Sequence, residues 1–231
     1  MKAKRKKTVL FDIDGTLVDT GGRGREAFIR GLERVTGVRD ELAYVSFAGN
    51  TDRNVLDQVM AARGLRFADE EIRRIFATIA EELRGLLGAR PAQEIQGAEA
   101  FLSRLAAEEA ALGLVTGNIR ECAFLKLKSA GLDLFFGFGG FGDIHAERAK
   151  IARSALAAAR EAGVAVEEGG VCLVGDTPFD VAAGRALGIP VIGVATGKYD
   201  EESLKESGAT FTVADYSDLE RLFEKLENGF K

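Results

Sequence analysis

Five short apolar runs, Val9–Ile13, Leu112–Val115, Val171–Val174, Val191–Val194 and Thr210–Val213, constrain this chain more than any other feature. Most lack polar alternation and are rich in Val, Leu and Ile, which is the pattern of a strand covered on both faces. From Ala92 onward the runs alternate with stretches of helical spacing. That alternation predicts an α/β fold, a Rossmann-like doubly wound parallel sheet. The expected helices are Ala98 to Glu109, Arg120 to Ala130, Glu147 to Ala162, Pro178 to Leu187, Glu201 to Glu206 and a last one from Ser217.

Between Asp19 and Arg90 the strand-like runs vanish and apolar residues recur at helical spacing, in the faces Ala27/Phe28/Leu32/Val35, Val55/Leu56/Val59/Met60 and Ile72/Ile75/Phe76/Ile79/Leu83. Residues 19–90 therefore read as an α-helical insert in a core formed by 1–18 and 91–231. Asp69, ahead of Glu70 and Glu71, reads as the cap of the third of these helices.

The strand ends carry the chemistry. The run from Val9 carries Asp12 between Phe11 and Ile13 and continues into Asp14 and Gly15, and in an open parallel sheet the carboxyl ends of the strands border the ligand crevice. Two carboxylates so close repel each other unless a cation lies between them, and a hard cation such as magnesium suits oxygen ligands. The second strand ends in Thr116, Gly117 and Asn118, a hydroxyl and main-chain amides suited to an anion. Another ends Gly175-Asp176-Thr177-Pro178-Phe179-Asp180. Thr177 fits a helix cap and Pro178 the first helical position, with Asp180 in the first turn. Asp176 has no such explanation and adds a third acid to the expected cation site.

Composition narrows the alternatives. A net charge of −5 gives no general attraction to nucleic acid or anionic membrane. The basic stretch Lys2, Lys4, Arg5, Lys6 and Lys7 reads as a solvated tail, and no function is assigned to it. Cys122 and Cys172 stand far apart, which suits core packing in a reducing, cytoplasmic setting. No run approaches the ~18 apolar residues of a membrane span. Gly137 to Gly142 matches GxGxxG but runs into Asp143-Ile144-His145 and reads as a loop, not a dinucleotide site. Gly193 to Lys198 has the wrong spacing for a nucleotide-phosphate loop, and the sole histidine, His145, reads as a turn residue.

Together, Asp12-Ile13-Asp14-Gly15-Thr16-Leu17, Thr116-Gly117-Asn118 and Gly175 to Asp180 resemble, in type and order, the motifs of the haloacid dehalogenase superfamily, most closely its phosphoglycolate-phosphatase-like branch with a helical cap. The resemblance implies a Mg2+-dependent phosphatase acting on a small phosphorylated metabolite. By position, Asp12 becomes the nucleophile and Asp14 the general acid and base, while Thr116, Gly117 and Asn118 hold the phosphoryl oxygens. The metal is expected on Asp12, Asp14 through its carbonyl, and Asp176, with Asp180 in support.

Members of the superfamily also use a cation, usually in a Lys-Pro pair, between the second and last motifs. Here Arg148 or Lys150 must serve, and the bidentate fork of Arg148 favours it. Gly49, Asn50 and Thr51, in the stretch Phe47 to Asp52, resemble the substrate-specificity loop of the cap. A plain turn with Thr51 or Asp52 capping the next helix explains the same residues. A phosphomutase of the β-phosphoglucomutase type and a non-catalytic binding module with the same fold are the rival expectations. Residues 19–90 contain no lysine, against the imine chemistry of phosphonate-cleaving relatives, and Asp14 separates the chain from the dehalogenases. The expected partner is a small metabolite, without nucleic acid or membrane, for a monomer or homodimer.

Overall fold

The computed structural model describes residues 7–166 and 169–227, so Lys2, Lys4, Arg5 and Lys6 of the basic stretch lie outside the described residues. The chain begins with strand β1 (Thr8–Phe11) and a short strand β2 (Val18–Asp19), followed by three helices, α1 (Arg23–Thr36), α2 (Asp52–Arg63) and α3 (Asp69–Ala89). It returns through β3 (Gln93–Glu94), α4 (Ala98–Ala107), β4 (Ala111–Val115), α5 (Arg120–Ser129), a 3-10 turn at Asp133–Phe135 and β5 (Phe138–Gly140). The last part is α6 (Arg148–Glu161), β6 (Val171–Gly175), α7 (Pro178–Leu187), β7 (Val191–Val194), α8 (Glu201–Glu206), β8 (Phe211–Val213) and α9 (Leu219–Glu227).

The main sheet has the order β5-β4-β1-β6-β7-β8, and every pair in it is parallel. From β1 the chain steps outward to β4 and β5, then crosses back and steps outward through β6, β7 and β8. Such a reversal opens a crevice at the carboxyl ends of the strands beside β1. The register puts Phe11 level with both Leu114 and Val174, so Asp12 follows the last paired residue of the central strand.

Alternation explains why β6 and, after Thr8, β1 are apolar. Val9, Phe11, Cys172 and Val174 face the layer holding Phe101, Leu127 and Phe223. Leu10 and Leu173 face Ile151, Ala155 and Val181 on the other side. With both faces covered, polar side chains are confined to the two ends of these strands, Thr8 at the start of β1 and the acids that follow β1 and β6.

Helices α1 to α3 sit between β2 and β3, which pair antiparallel as a two-stranded ribbon where the chain leaves and re-enters the main sheet. Helix α3 packs on α1 and reaches α5. It starts at Asp69 with Ala68 as its cap residue, and the Glu71 carboxylate accepts from the Ala68 amide, so Asp69 is a first-turn acid and not the cap.

The Gly-rich stretch 137–142 also departs from expectation, because it contains β5, an edge strand paired with β4. Its glycines hide the strand signal, yet packing needs one of them. A Cβ on Gly140 would collide with the Ile151 carbonyl and crowd the Ala155 amide, so the bare backbone lets α6 lie directly on the edge strand.

Candidate functional site

Asp12 is 5% exposed at the end of β1, and its amide donates to the Val174 carbonyl at 3.0 Å. One of its carboxylate oxygens lies 2.5 Å from Nη2 of Arg148, the first residue of α6. Nε of the same guanidinium lies 2.7 Å from Asp180 Oδ1. These two contacts are close charge pairs whose N–H directions are out of hydrogen-bond alignment. Nη1 donates to the Gly49 carbonyl at 3.3 Å.

The other oxygen of Asp180 is occupied by the start of its own helix, accepting from the Thr177 amide at 3.1 Å and the Thr177 hydroxyl at 2.7 Å. Thr177 Oγ1 accepts from the Asp180 amide in return, which completes the cap expected from Thr-Pro-x-Asp. Asp176, at the end of β6, accepts from Thr16 Oγ1 at 3.0 Å. Buried Tyr216 holds that turn from behind, stacking on Phe101 at 5.3 Å and donating to the Thr16 carbonyl at 3.0 Å. Gly15, at φ +78°, makes room at the same place, since a Cβ there would run into the Asp176 carboxylate.

Asp12, Asp176 and Asp180 thus bring one oxygen each within 4.8 Å of one another, all buried. Burial is the main reason that Asp12 and Asp176 are pushed well above the usual carboxylate range. Arg148 pulls Asp12 back in part, and the neighbouring carboxylates push both further up. Arg148 stays charged, because burial is outweighed by Asp12, Asp180 and Asp176. One guanidinium against three carboxylates leaves an excess of negative charge in a dry site, and a divalent cation with oxygen ligands fits that set.

Asp14 turns the other way. Its carboxylate is 42% exposed and is held by Lys126 Nζ at 2.8 and 2.6 Å and by Asn118 Nδ2 at 2.7 Å. It is not among the clustered carboxylates. Thr116 Oγ1 accepts from the Asn118 side chain at 2.7 Å and from its amide at 3.3 Å, which leaves the Thr116 hydroxyl hydrogen free to donate.

Loop 47–51 and the start of α2 close over this floor. The amides of Asp52 and Arg53 donate to the carbonyls of Gly117 and Gly142 at 2.8 and 3.0 Å. The Asp52 carboxylate accepts from the Ile119 amide at 2.7 Å, at the head of α5. Burial lifts Asp52 to about 6, against the opposing pull of Lys126 and the Ile119 amide. The space enclosed is about 270 Å3, with Phe28, Phe47, Ile79 and Leu83 forming an apolar wall opposite Asp12, Asp14, Thr116, Gly117, Asn118, Arg148 and Asp176. Gly49 and Asn50 line it too, whereas Thr51 is buried as the cap of α2, accepting from the Asn54 amide at 3.1 Å.

Lys150 is not part of this arrangement. It pairs with Glu147 at 2.8 Å on the exposed side of α6, because residues two apart on a helix face nearly opposite ways. The stripe Ile151, Ala152, Ala155 and Ala159, extended back by one turn, lands on Arg148. Lys126 and Asp52 escape a motif-based reading. A signal for Lys126 does exist in α5, where Cys122, Ala123 and Leu127 form the buried stripe and the lysine falls within it.

The arrangement has known counterparts. Residues 9–194 match the family described as haloacid dehalogenase-like hydrolase. The chain is 32% identical over 220 residues to a phosphoglycolate phosphatase of Rhodospirillum rubrum, covering 92% of this chain and 89% of that protein. It is 28% identical over 219 residues to the pyrophosphatase PpaX of Bacillus pumilus, covering 92% and 94%. The crystal structure of CbbY from Rhodobacter sphaeroides in complex with phosphate superposes with a TM-score of 0.72 at 19% identity, covering 93% of this chain and 96% of that one, a likeness of fold. With carboxylates at the ends of β1 and β6 and a family match that runs from the first strand through β7, this chain belongs to the haloacid dehalogenase-like hydrolase family.

Proposed function

We propose that this hydrolase is a magnesium-dependent phosphatase that removes the phosphoryl group from a small phosphorylated acid of the phosphoglycolate type, through an aspartyl-phosphate on Asp12. The observation that carries the reading is the division of labour between two carboxylates two residues apart. Asp12 is buried beside Arg148, while Asp14 is open to the cavity and turned away from the carboxylate cluster. A nucleophile needs to be held with its charge opposed by cations, which Arg148 and a bound metal would do for Asp12 against the effect of burial, whereas a proton carrier needs access to the leaving group.

Asp12 attacks phosphorus, and the bond from phosphorus to the leaving oxygen breaks as Asp14 gives that oxygen a proton. Asp14 then takes a proton from water as it attacks the acyl phosphate, which frees Asp12 and phosphate. Arg148, the Thr116 hydroxyl and the amides of Gly117 and Asn118 hold the phosphoryl oxygens. Asp12, Asp176 and the Asp14 carbonyl would hold magnesium, with Asp180 behind them, and the ion when bound neutralises charge on the transferring group. The loop 47–51 and the apolar wall keep bulk water away from the cavity floor.

The relatives named as phosphoglycolate phosphatases support a substrate with a second anion. Arg25 lines the cavity, donates to the Glu41 carbonyl at 2.6 Å and lies 5.7 Å from the Phe47 ring centre. It is the group proposed to meet that anion. A panel of phosphorylated metabolites assayed for released phosphate tests the reading. 2-Phosphoglycolate is expected among the best substrates, and no release from any member would overturn it. Arg25→Met is expected to raise KM for 2-phosphoglycolate about tenfold, the worth of one charged contact. KM for p-nitrophenyl phosphate, which has no second anion, should stay within about twofold.

Magnesium and protons should compete for the same carboxylates. Burial lifts Asp12 to about 7 and Asp176 to about 8 from a starting value of 3.8. The metal-free folded state therefore holds more protons than the unfolded chain between roughly pH 4 and 8, and its stability falls as pH rises through that window. The melting temperature without metal should be lower at pH 8.5 than at pH 6. Added magnesium should raise it more at pH 8.5 than at pH 6, since the ion replaces protons there. Equal shifts at both pH values would place the ion elsewhere.

A further inference from the structure

We propose that Lys126 is a positioning residue for proton transfer, its ammonium fixing the Asp14 carboxylate in the orientation that serves the leaving group. The inference rests on the reading of Asp14 given above. Lys126 is 4% exposed on a helix whose other buried residues are Cys122, Ala123 and Leu127. An ammonium in such a place is costly unless all its donors are used. Its contacts are Asp14 Oδ1 at 2.8 Å, Asp14 Oδ2 at 2.6 Å and Asn118 Oδ1 at 2.6 Å, which account for its three donors.

Asn118 closes a triangle, giving its own Nδ2 to Asp14 Oδ2 at 2.7 Å and to Thr116 Oγ1 at 2.7 Å. A carboxylate on a short side chain that is 42% exposed would otherwise be free to turn. Here both oxygens are gripped, by Lys126 and Asn118, while Asp14 itself lines the cavity. The remaining charge facing Lys126 is Asp52 from α2, so the docked helix also helps keep the ammonium in place. A lysine serving only as a core tie would not need every contact to fall on groups bordering the reacting centre.

The consequence is selective. A poor leaving group, such as the alkoxide of an alkyl phosphate, needs the proton from Asp14 as the bond breaks, whereas p-nitrophenolate departs without one. The test compares wild type, Lys126→Gln and Lys126→Arg on the best alkyl phosphate of the panel, in steady state. The same proteins are compared on p-nitrophenyl phosphate, by the rate constant of the p-nitrophenolate burst. In Lys126→Gln the alkyl phosphate kcat should fall roughly 100-fold or more, as for loss of general acid catalysis, with KM within about threefold.

The burst rate constant should fall at least about tenfold less than that kcat, and Lys126→Arg should recover part of the kcat loss. Equal losses on the two substrates in a folded variant, or no loss at all, would overturn the role. Should Lys126→Gln fail to fold, the same ratio is read on Lys126→Arg, whose planar fork cannot reproduce the three contacts, and equal losses there count against the proposal. A wild type that releases phosphate from neither substrate would instead overturn the proposed function.

Discussion

Asp12→Asn folds and loses turnover by about four orders of magnitude or more, the scale on which removal of a covalent nucleophile is felt. The amide has the size of the carboxylate, so the packing at the end of β1 and the amide bond to the Val174 carbonyl are kept. What disappears is the anionic oxygen that attacks phosphorus. Because Asp12 is one of three buried carboxylates within 4.8 Å of one another, its neutral replacement also relieves repulsion. The variant without metal should therefore melt no lower than wild type at pH 8, and magnesium should raise its melting temperature less. Phosphate release across the panel and melting curves with and without magnesium read both effects. Activity within tenfold of wild type would refute a covalent route through Asp12.

Arg148→Met is expected to injure both stability and turnover. The guanidinium lies 2.5 Å from Asp12 Oδ1 and 2.7 Å from Asp180 Oδ1, and both partners are buried. Its loss leaves three carboxylates without their only close cation among the described residues. Breaking a buried pair from one side costs about 3–5 kcal/mol, which for a chain of this length corresponds to a fall of roughly 6–20 °C in melting temperature. The sign with pH follows from the same charges. Arg148 pulls the proton affinity of Asp12 and Asp176 down, so in its absence the folded state holds protons to still higher pH. The deficit should be larger at pH 8 than at pH 5.5.

Turnover of Arg148→Met should fall about 10²- to 10³-fold through lost charge stabilisation. Lys150→Met, on the exposed side of the same helix, should stay within about twofold, as surface substitutions away from special features usually do. A larger loss at Lys150 than at Arg148 would reverse the assignment.

Much of the molecule is legible in its sequence, and the reasons are local. Alternating burial on β1 and β6 writes itself as unbroken apolar runs, so the acids that end those runs stand out. Thr177, Pro178 and Asp180 likewise announce the start of α7, since a cap is made by residues three apart. The edge strand β5 was hidden because the glycines that admit α6 also erase the pattern by which strands are recognised.

The amino-acid sequence by itself determined the alternation of strands and helices, the helical spacing between residues 19 and 90 and the acids at the strand ends, because each depends on neighbours a few positions away along the chain. Only the tertiary structure decided that Asp176 meets Asp12, that Lys126 grips Asp14, that Asp52 caps the head of α5, and that Arg148 turns inward while Lys150 does not. Those pairings join residues up to 164 positions apart. The strand order brings them together, and what holds them is the cost of leaving a buried charge without a partner.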